Sequence, residues 1–203
     1  MKKNDNMLGF RFLKSILKPI FIAYYNPKII GKENIPSEGP IVICANHIHL
    51  MDQCLPLIST KRVVKYMAKK EYFDDKKVSW FFKMAGCIPV NRQIKDDNAT
   101  NAALEHLKNG GAIGIFPEGT RNKTNKIIQP FKFGAVSMAQ KTNALIVPCG
   151  IYGKYQFRSN DLAMVIGKPF RVKENDDLAV VNKKLQDEIV KLIGKAKKLR
   201  EKK

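Results

Sequence analysis

Acidic residues are in short supply. Only 18 aspartates and glutamates stand against 37 lysines and arginines in 203 residues, giving a net charge of +19 and a pI near 9.8. That imbalance favours anionic partners (nucleic acid, an acidic membrane or phosphorylated substrates) without choosing among them, and it is silent about fold. Cysteine is scarce as well. Cys44, Cys54, Cys87 and Cys149 are scattered, with no CxxC and no metal-ligand spacing, so free thiols in a reducing cytoplasm are expected. The start, "MKKNDNMLGFRF", lacks the apolar core and cleavage site of a signal peptide. Linkers, low-complexity tracts and internal repeats are missing too. One domain of α/β type is expected, with short appendages at both ends.

What is present begins with an apolar N-terminal stretch, "MLGFRFLKSILKPIFIAYY", residues 7–25. Arg11, Lys14 and Lys18 step by three and four, so on a helix they share one side, while Leu13, Ile16, Leu17, Ile20, Phe21 and Tyr24 cover much of the rest. A bilayer-spanning helix needs about 20 mainly apolar residues, and a charge on every turn argues against one. Residues 1–28 are therefore expected to form an amphipathic segment lying in the membrane interface, with Pro19 kinking or interrupting its helix. The competing reading is a core-covering helix with a solvated basic side. At the other end, Leu178, Val181, Leu185, Ile189, Leu192, Ala196 and Leu199 form a helical stripe set among lysines, which closes a domain over 29–203.

Between these ends, apolar runs and helical patterns alternate. Strands are expected at 40–45, 62–69, 87–91, 112–116, 144–152 and 162–170, and helices near 52–60, 78–86, 99–111 and 131–142. Alternation of this kind predicts a largely parallel, mixed sheet with helices on both faces, whose ligands gather at the carboxyl ends of strands.

Three such ends carry chemistry. "ANHIHLMD" puts His47 just past a strand and Asp52 five residues on. An extended chain would separate the two by ~16 Å at about 3.3 Å per residue, and an unbroken helix would set them ~140° apart. They meet only if the chain turns after His47. A zinc site would need three or four ligands, and His106, the one remaining histidine, falls in a helical pattern. A strand-end histidine beside a helix-capping aspartate is a second possibility. A His–Asp acid/base pair is the third, and no serine or cysteine elbow accompanies it. "GCIPVNR" places Arg92 past another strand, and "GIFPEGTR" places Glu118, Gly119, Thr120 and Arg121 past a third. Glycine permits close backbone approach, threonine offers a hydroxyl and arginine grips phosphate with a fork of donors.

The ordered series NHxxxxD, GxIPVNR, FPEGTR and IVP (Ile146–Pro148) resembles the glycerolipid acyltransferase family, most nearly its bacterial 1-acylglycerol-3-phosphate acyltransferases, over residues 30–170. The resemblance implies that His47 takes the proton from the 2-hydroxyl of lysophosphatidic acid and that Asp52 orients the imidazole. It also implies that Glu118, Gly119, Thr120 and Arg121 form the glycerol-phosphate site, joined by Arg92 and by Lys69 (or its neighbour Lys70). Ile48, His49 and Asn122 depart from the commonest pattern. The thioester of acyl-CoA or acyl carrier protein is already activated, so no cofactor and no metal is expected. Expected partners are a membrane surface, the lysolipid and the acyl donor, at the cytoplasmic face of the membrane as a peripheral protein. A related acyltransferase using another lysophospholipid or an amine-bearing lipid is the nearer alternative. A nucleic-acid-binding protein is the distant one, because the aromatics sit in apolar runs, not among the basic residues.

Overall fold

The computed structural model describes residues 8–91, 93–94 and 96–201. In chain order it contains α1 (Leu8–Tyr25), β1 (Lys28–Ile30), β2 (Ile41–Ala45), α2 (Cys54–Ser59), β3 (Val64–Lys69), α3 (Glu71–Asp74), α4 (Ser79–Met84) and β4 (Ile88–Val90). It continues with α5 (Asp97–Lys108), β5 (Ala112–Ile115), α6 (Gly134–Thr142), β6 (Leu145–Tyr152), β7 (Ala163–Ile166), β8 (Phe170–Arg171) and α7 (Leu178–Glu201).

The strands form one mixed sheet in the order β1-β7-β6-β2-β5-β3-β4, with β8 also on β6. All pairings from β6 through β4 are parallel, while β7 and β8 run antiparallel to β6. Strand β2 is central and every one of its side chains is buried, as a strand covered on both faces requires. Its alternation divides the core. Ile41, Ile43 and Ala45 join Phe21 of α1 and Leu55 and Ile58 of α2 on one face. Val42 and Cys44 join Leu107 of α5, Val136 of α6 and Leu185 and Ile189 of α7 on the other. The C-terminal stripe packs as its spacing predicts, and Gly150 of β6 has a steric reason: a Cβ there would lie 2.3 Å from the Ile193 nitrogen of α7.

Two elements differ from expectation. The run 162–170 is one path along an edge of β6, broken into β7 and β8 around Gly167–Pro169, because Pro169 has no N–H to continue the ladder. Helix α1 is not interrupted at Pro19. It runs through as one helix, with Ser15, whose carbonyl loses its usual i+4 donor, and Pro19 both exposed. The short β1 and α3 carry too few residues for any periodicity to reveal them.

Helix α1 also presents an unusual surface. Phe10 and Phe21 are buried against the domain, while Leu8 (77% exposed), Phe12 (64%), Ile16 (45%) and Ile20 (57%) project from the opposite side. The basic residues lie between. Lys14 is turned inward, donating to the carbonyls of Thr60 and Arg62, and burial lowers its pKa to about 8. Among the described residues no helix is long and apolar enough to cross a membrane.

Candidate active site

The carboxyl ends of β2 and β5 lie side by side, with Cys44 level with Ile115. Asn46, the residue after β2, is buried, and its side-chain amide bonds both ways to the backbone of Ile151 (2.9 and 2.7 Å), which prolongs the ladder by one side chain. The chain then turns. Asp52 Oδ2 accepts from the amides of Ile48 (2.6 Å) and His49 (2.7 Å) and lies 2.8 Å from His47 Nδ1. Helix α2 begins only at Cys54, and Asp52 serves amides before it rather than after it, so it does not cap that helix. Because the Asp52 carboxylate accepts the two amides, the hydrogen between it and the imidazole is assigned to Nδ1 of His47, which leaves Nε2 facing away from Asp52.

Asp52 is fully buried, whereas the His47 side chain remains 18% accessible. The imidazole lies flat on Phe116, centroids 4.1 Å apart and planes at 13°. Burial and the Asp52 charge push the Cys54 thiol up to about 12, so it stays protonated. Among the described residues no three histidine, cysteine or acidic side chains converge as metal ligands. His106 is on α5, its ring against Gly111.

The loop after β5 is bolted to this turn. Glu118 is 3% exposed, and its two carboxylate oxygens accept from the His47 amide (2.7 Å) and the Gln129 amide (2.8 Å). Burial raises its pKa above the usual carboxylate range, opposed by those two amides. The Asn122 amide donates back to the His47 carbonyl (2.7 Å), and the Asn122 side chain bonds Lys126 and Thr124, shaping the rest of the loop. Gly119 has φ 72°, a backbone state few side chains tolerate. A Cβ there would also sit 2.8 Å from Cε of Lys132, whose stem lies across the loop. The amide of Lys132 donates to the Pro117 carbonyl (2.8 Å).

Thr120 and Arg121 are exposed at the loop's outer edge, and among the described residues the Arg121 side chain has no hydrogen bond or ion pair. Lys69 ends β3, level with Val90 and on the same rim of the sheet. Lys70 lies within electrostatic reach of Asp96, at the start of α5. Arg92 lies outside the described residues.

Two neighbours of the site went unread in the sequence. Lys132 lay inside an apparently ordinary helix start, and only the contact over Gly119 reveals it. Tyr155, beyond β6 in "GKYQF", donates its hydroxyl to Asp52 Oδ1 at 2.7 Å, and no spacing links residues 103 positions apart.

Residues 26–152 match the family model described as Acyltransferase. The chain is 30% identical over 201 residues to the 1-acyl-sn-glycerol-3-phosphate acyltransferase of Bacillus subtilis, covering 94% of this chain and 100% of that protein. It is 31% identical to the protein of the same name from Borreliella burgdorferi, over 74% of this chain and 61% of the relative. Its fold resembles the crystal structure of the 1-acyl-sn-glycerophosphate acyltransferase PlsC from Thermotoga maritima. The TM-score is 0.73 at 23% identity, covering 93% of this chain and 78% of the other.

Proposed function

This chain belongs to the acyltransferase family, and from that premise we propose that it moves a fatty acyl group from a thioester to the 2-hydroxyl of 1-acylglycerol-3-phosphate, giving phosphatidic acid. One observation carries the reading: an imidazole held by a buried carboxylate stands at a strand end, hydrogen-bonded through its own backbone to a cation-bearing loop.

The chemistry needs little more. The acceptor hydroxyl approaches the thioester carbonyl carbon while His47 Nε2 takes its proton. The new C–O bond forms, the C–S bond breaks, and the proton passes from His47 to the departing thiolate. Asp52 holds the tautomer and offsets the charge that the imidazole gains. Positioning the two substrates supplies much of the rate, and base catalysis contributes about 10²–10⁴-fold. With Cys54 held as a thiol, direct transfer without an acyl-enzyme is the simpler course.

The phosphate is assigned to Arg121, Lys132 and Lys69, with Thr120 adding a hydroxyl and Gly119 leaving room for the Lys132 stem. Glu118, buried and bonded at both oxygens, acts by fixing the loop rather than by touching substrate. Arg121→Ala is expected to raise KM for lysophosphatidic acid about 10–100-fold, the loss of a charge-assisted pair, with a smaller change in kcat. Initial rates over a range of acceptor concentration measure this, and an unaltered KM removes Arg121 from the phosphate.

The outer face of α1 is proposed to lie in the cytoplasmic leaflet of an anionic membrane, its apolar side chains among acyl tails and Arg11 and Lys18 near head groups. Lysolipid then reaches the site without leaving the bilayer. A Phe12→Glu, Ile16→Glu, Ile20→Glu variant spares the buried Phe10 and Phe21. It is expected to stop floating with anionic vesicles while melting as the parent does; undiminished flotation contradicts the proposal.

The purified protein, supplied with lysophosphatidic acid and acyl-CoA or acyl carrier protein thioester, should release thiol and form phosphatidic acid identified by mass. Thiol release with neither donor rules the reading out.

A further inference from the structure

We infer that Tyr155 is a positioning residue of this site, its hydroxyl holding the second oxygen of Asp52 and so fixing the carboxylate plane that aims His47. The three donors to Oδ2 (His47 Nδ1 and the amides of Ile48 and His49) all come from one turn. A carboxylate held at one oxygen can still pivot about its Cβ–Cγ bond, which is a soft torsion. The Tyr155 hydroxyl closes that freedom from a different segment, the chain following β6. Asp52 is fully buried, so an Oδ1 without a donor would be costly as well as mobile.

The phenol is itself held. His49 stacks on its ring (4.2 Å, 18°) and Tyr25 of α1 meets it edge-on (5.4 Å, 78°). His49 Nδ1 in turn accepts from the Met51 amide at 3.3 Å, which sets the orientation of the second histidine in "NHIHLMD". That histidine is a plate behind Tyr155, not a second base. Burial and the Asp52 charge push the Tyr155 hydroxyl far above its ordinary pKa, so it remains a donor throughout the working pH range. The other titratable groups facing the pair are Cys54 and Tyr66, both raised by burial and by the Asp52 charge, together with Tyr25, His49 and Glu118.

The kinetic consequence rests on the acyl-transfer reading; the effect on His47 does not. Tyr155→Phe keeps the ring, the stack on His49 and the edge contact with Tyr25, and removes only the hydroxyl. kcat is expected to fall about tenfold, the effect of losing one hydrogen bond to a charged group, with KM for lysophosphatidic acid within about twofold. The acidic limb of kcat/KM should move up by roughly 0.5–1 pH unit, because a carboxylate lacking one donor makes its imidazole partner bind a proton more tightly. NMR titration of the His47 imidazole reads the same shift without substrate. Difluorotyrosine at position 155, a stronger donor of nearly the same shape, should move it the opposite way, and this holds even where the phenylalanine variant folds poorly. A parent protein inactive on lysophosphatidic acid sinks the substrate reading alone. An imidazole titration that neither replacement moves overturns the role of Tyr155.

Discussion

His47→Ala is expected to lower acyl transfer by about 10²–10⁴-fold, the range that a positioned general base contributes. The fold should survive. The imidazole is partly accessible, and when it is removed Asp52 Oδ2 still accepts from the amides of Ile48 and His49. The backbone bonds that join this turn to the next loop, His47 N–H to Glu118 and Asn122 N–H to the His47 carbonyl, need no side chain at position 47. A melting temperature within about 4 °C of the parent, typical of roughly 1 kcal/mol in a chain of this size, would accompany the loss. Thiol release and phosphatidic acid formation under saturating substrates measure it. Turnover close to the parent's would leave the general-base mechanism without its base.

Glu118→Ala is expected to act differently, through both stability and rate. Its carboxylate satisfies two amides inside a nearly closed environment, and alanine would strand both. An unsatisfied buried donor costs about 1–3 kcal/mol, so the pair accounts for roughly 2–6 kcal/mol. At about 2–4 °C per kcal/mol, that corresponds to a fall in Tm of roughly 4–24 °C. Because the same carboxylate ties the loop of Arg121 to the backbone of His47, kcat should drop at least about tenfold along with stability. Glu118→Gln retains one acceptor oxygen and should lie between the two in Tm. The decisive comparison pairs calorimetry with kinetics. A raised KM for the lysolipid with an unchanged Tm would mean that Glu118 grips substrate directly, contrary to its role as a brace.

The contrast between these two residues also separates what could be read in advance from what could not. His47 and Asp52 were legible as a possible pair because a five-residue spacing permits contact only through a turn, and local geometry of that kind is encoded locally. Glu118 was legible as belonging to the site, but its two backbone partners lie 71 residues earlier and 11 residues later, and nothing in "FPEGTR" says which way the carboxylate points. The same limit applied to α1. Its basic spacing was apparent, yet only packing turned Lys14 inward to the carbonyls of residues 60 and 62 and left Phe12, Ile16 and Ile20 facing out.

The sequence by itself determined the alternating strands and helices, the all-apolar central strand, the helical stripe of α7 and the order of the motif blocks, because each depends on periodicity or on neighbours within a few residues. Tertiary structure alone decided the order of strands in the sheet, the brace from Glu118, the Lys132 stem over Gly119 and the Tyr155 hydroxyl on Asp52. Those contacts join segments far apart along the chain. A hydrogen bond between such segments leaves no period and no spacing in either of them, and it exists only once the packing of the sheet has brought their ends together.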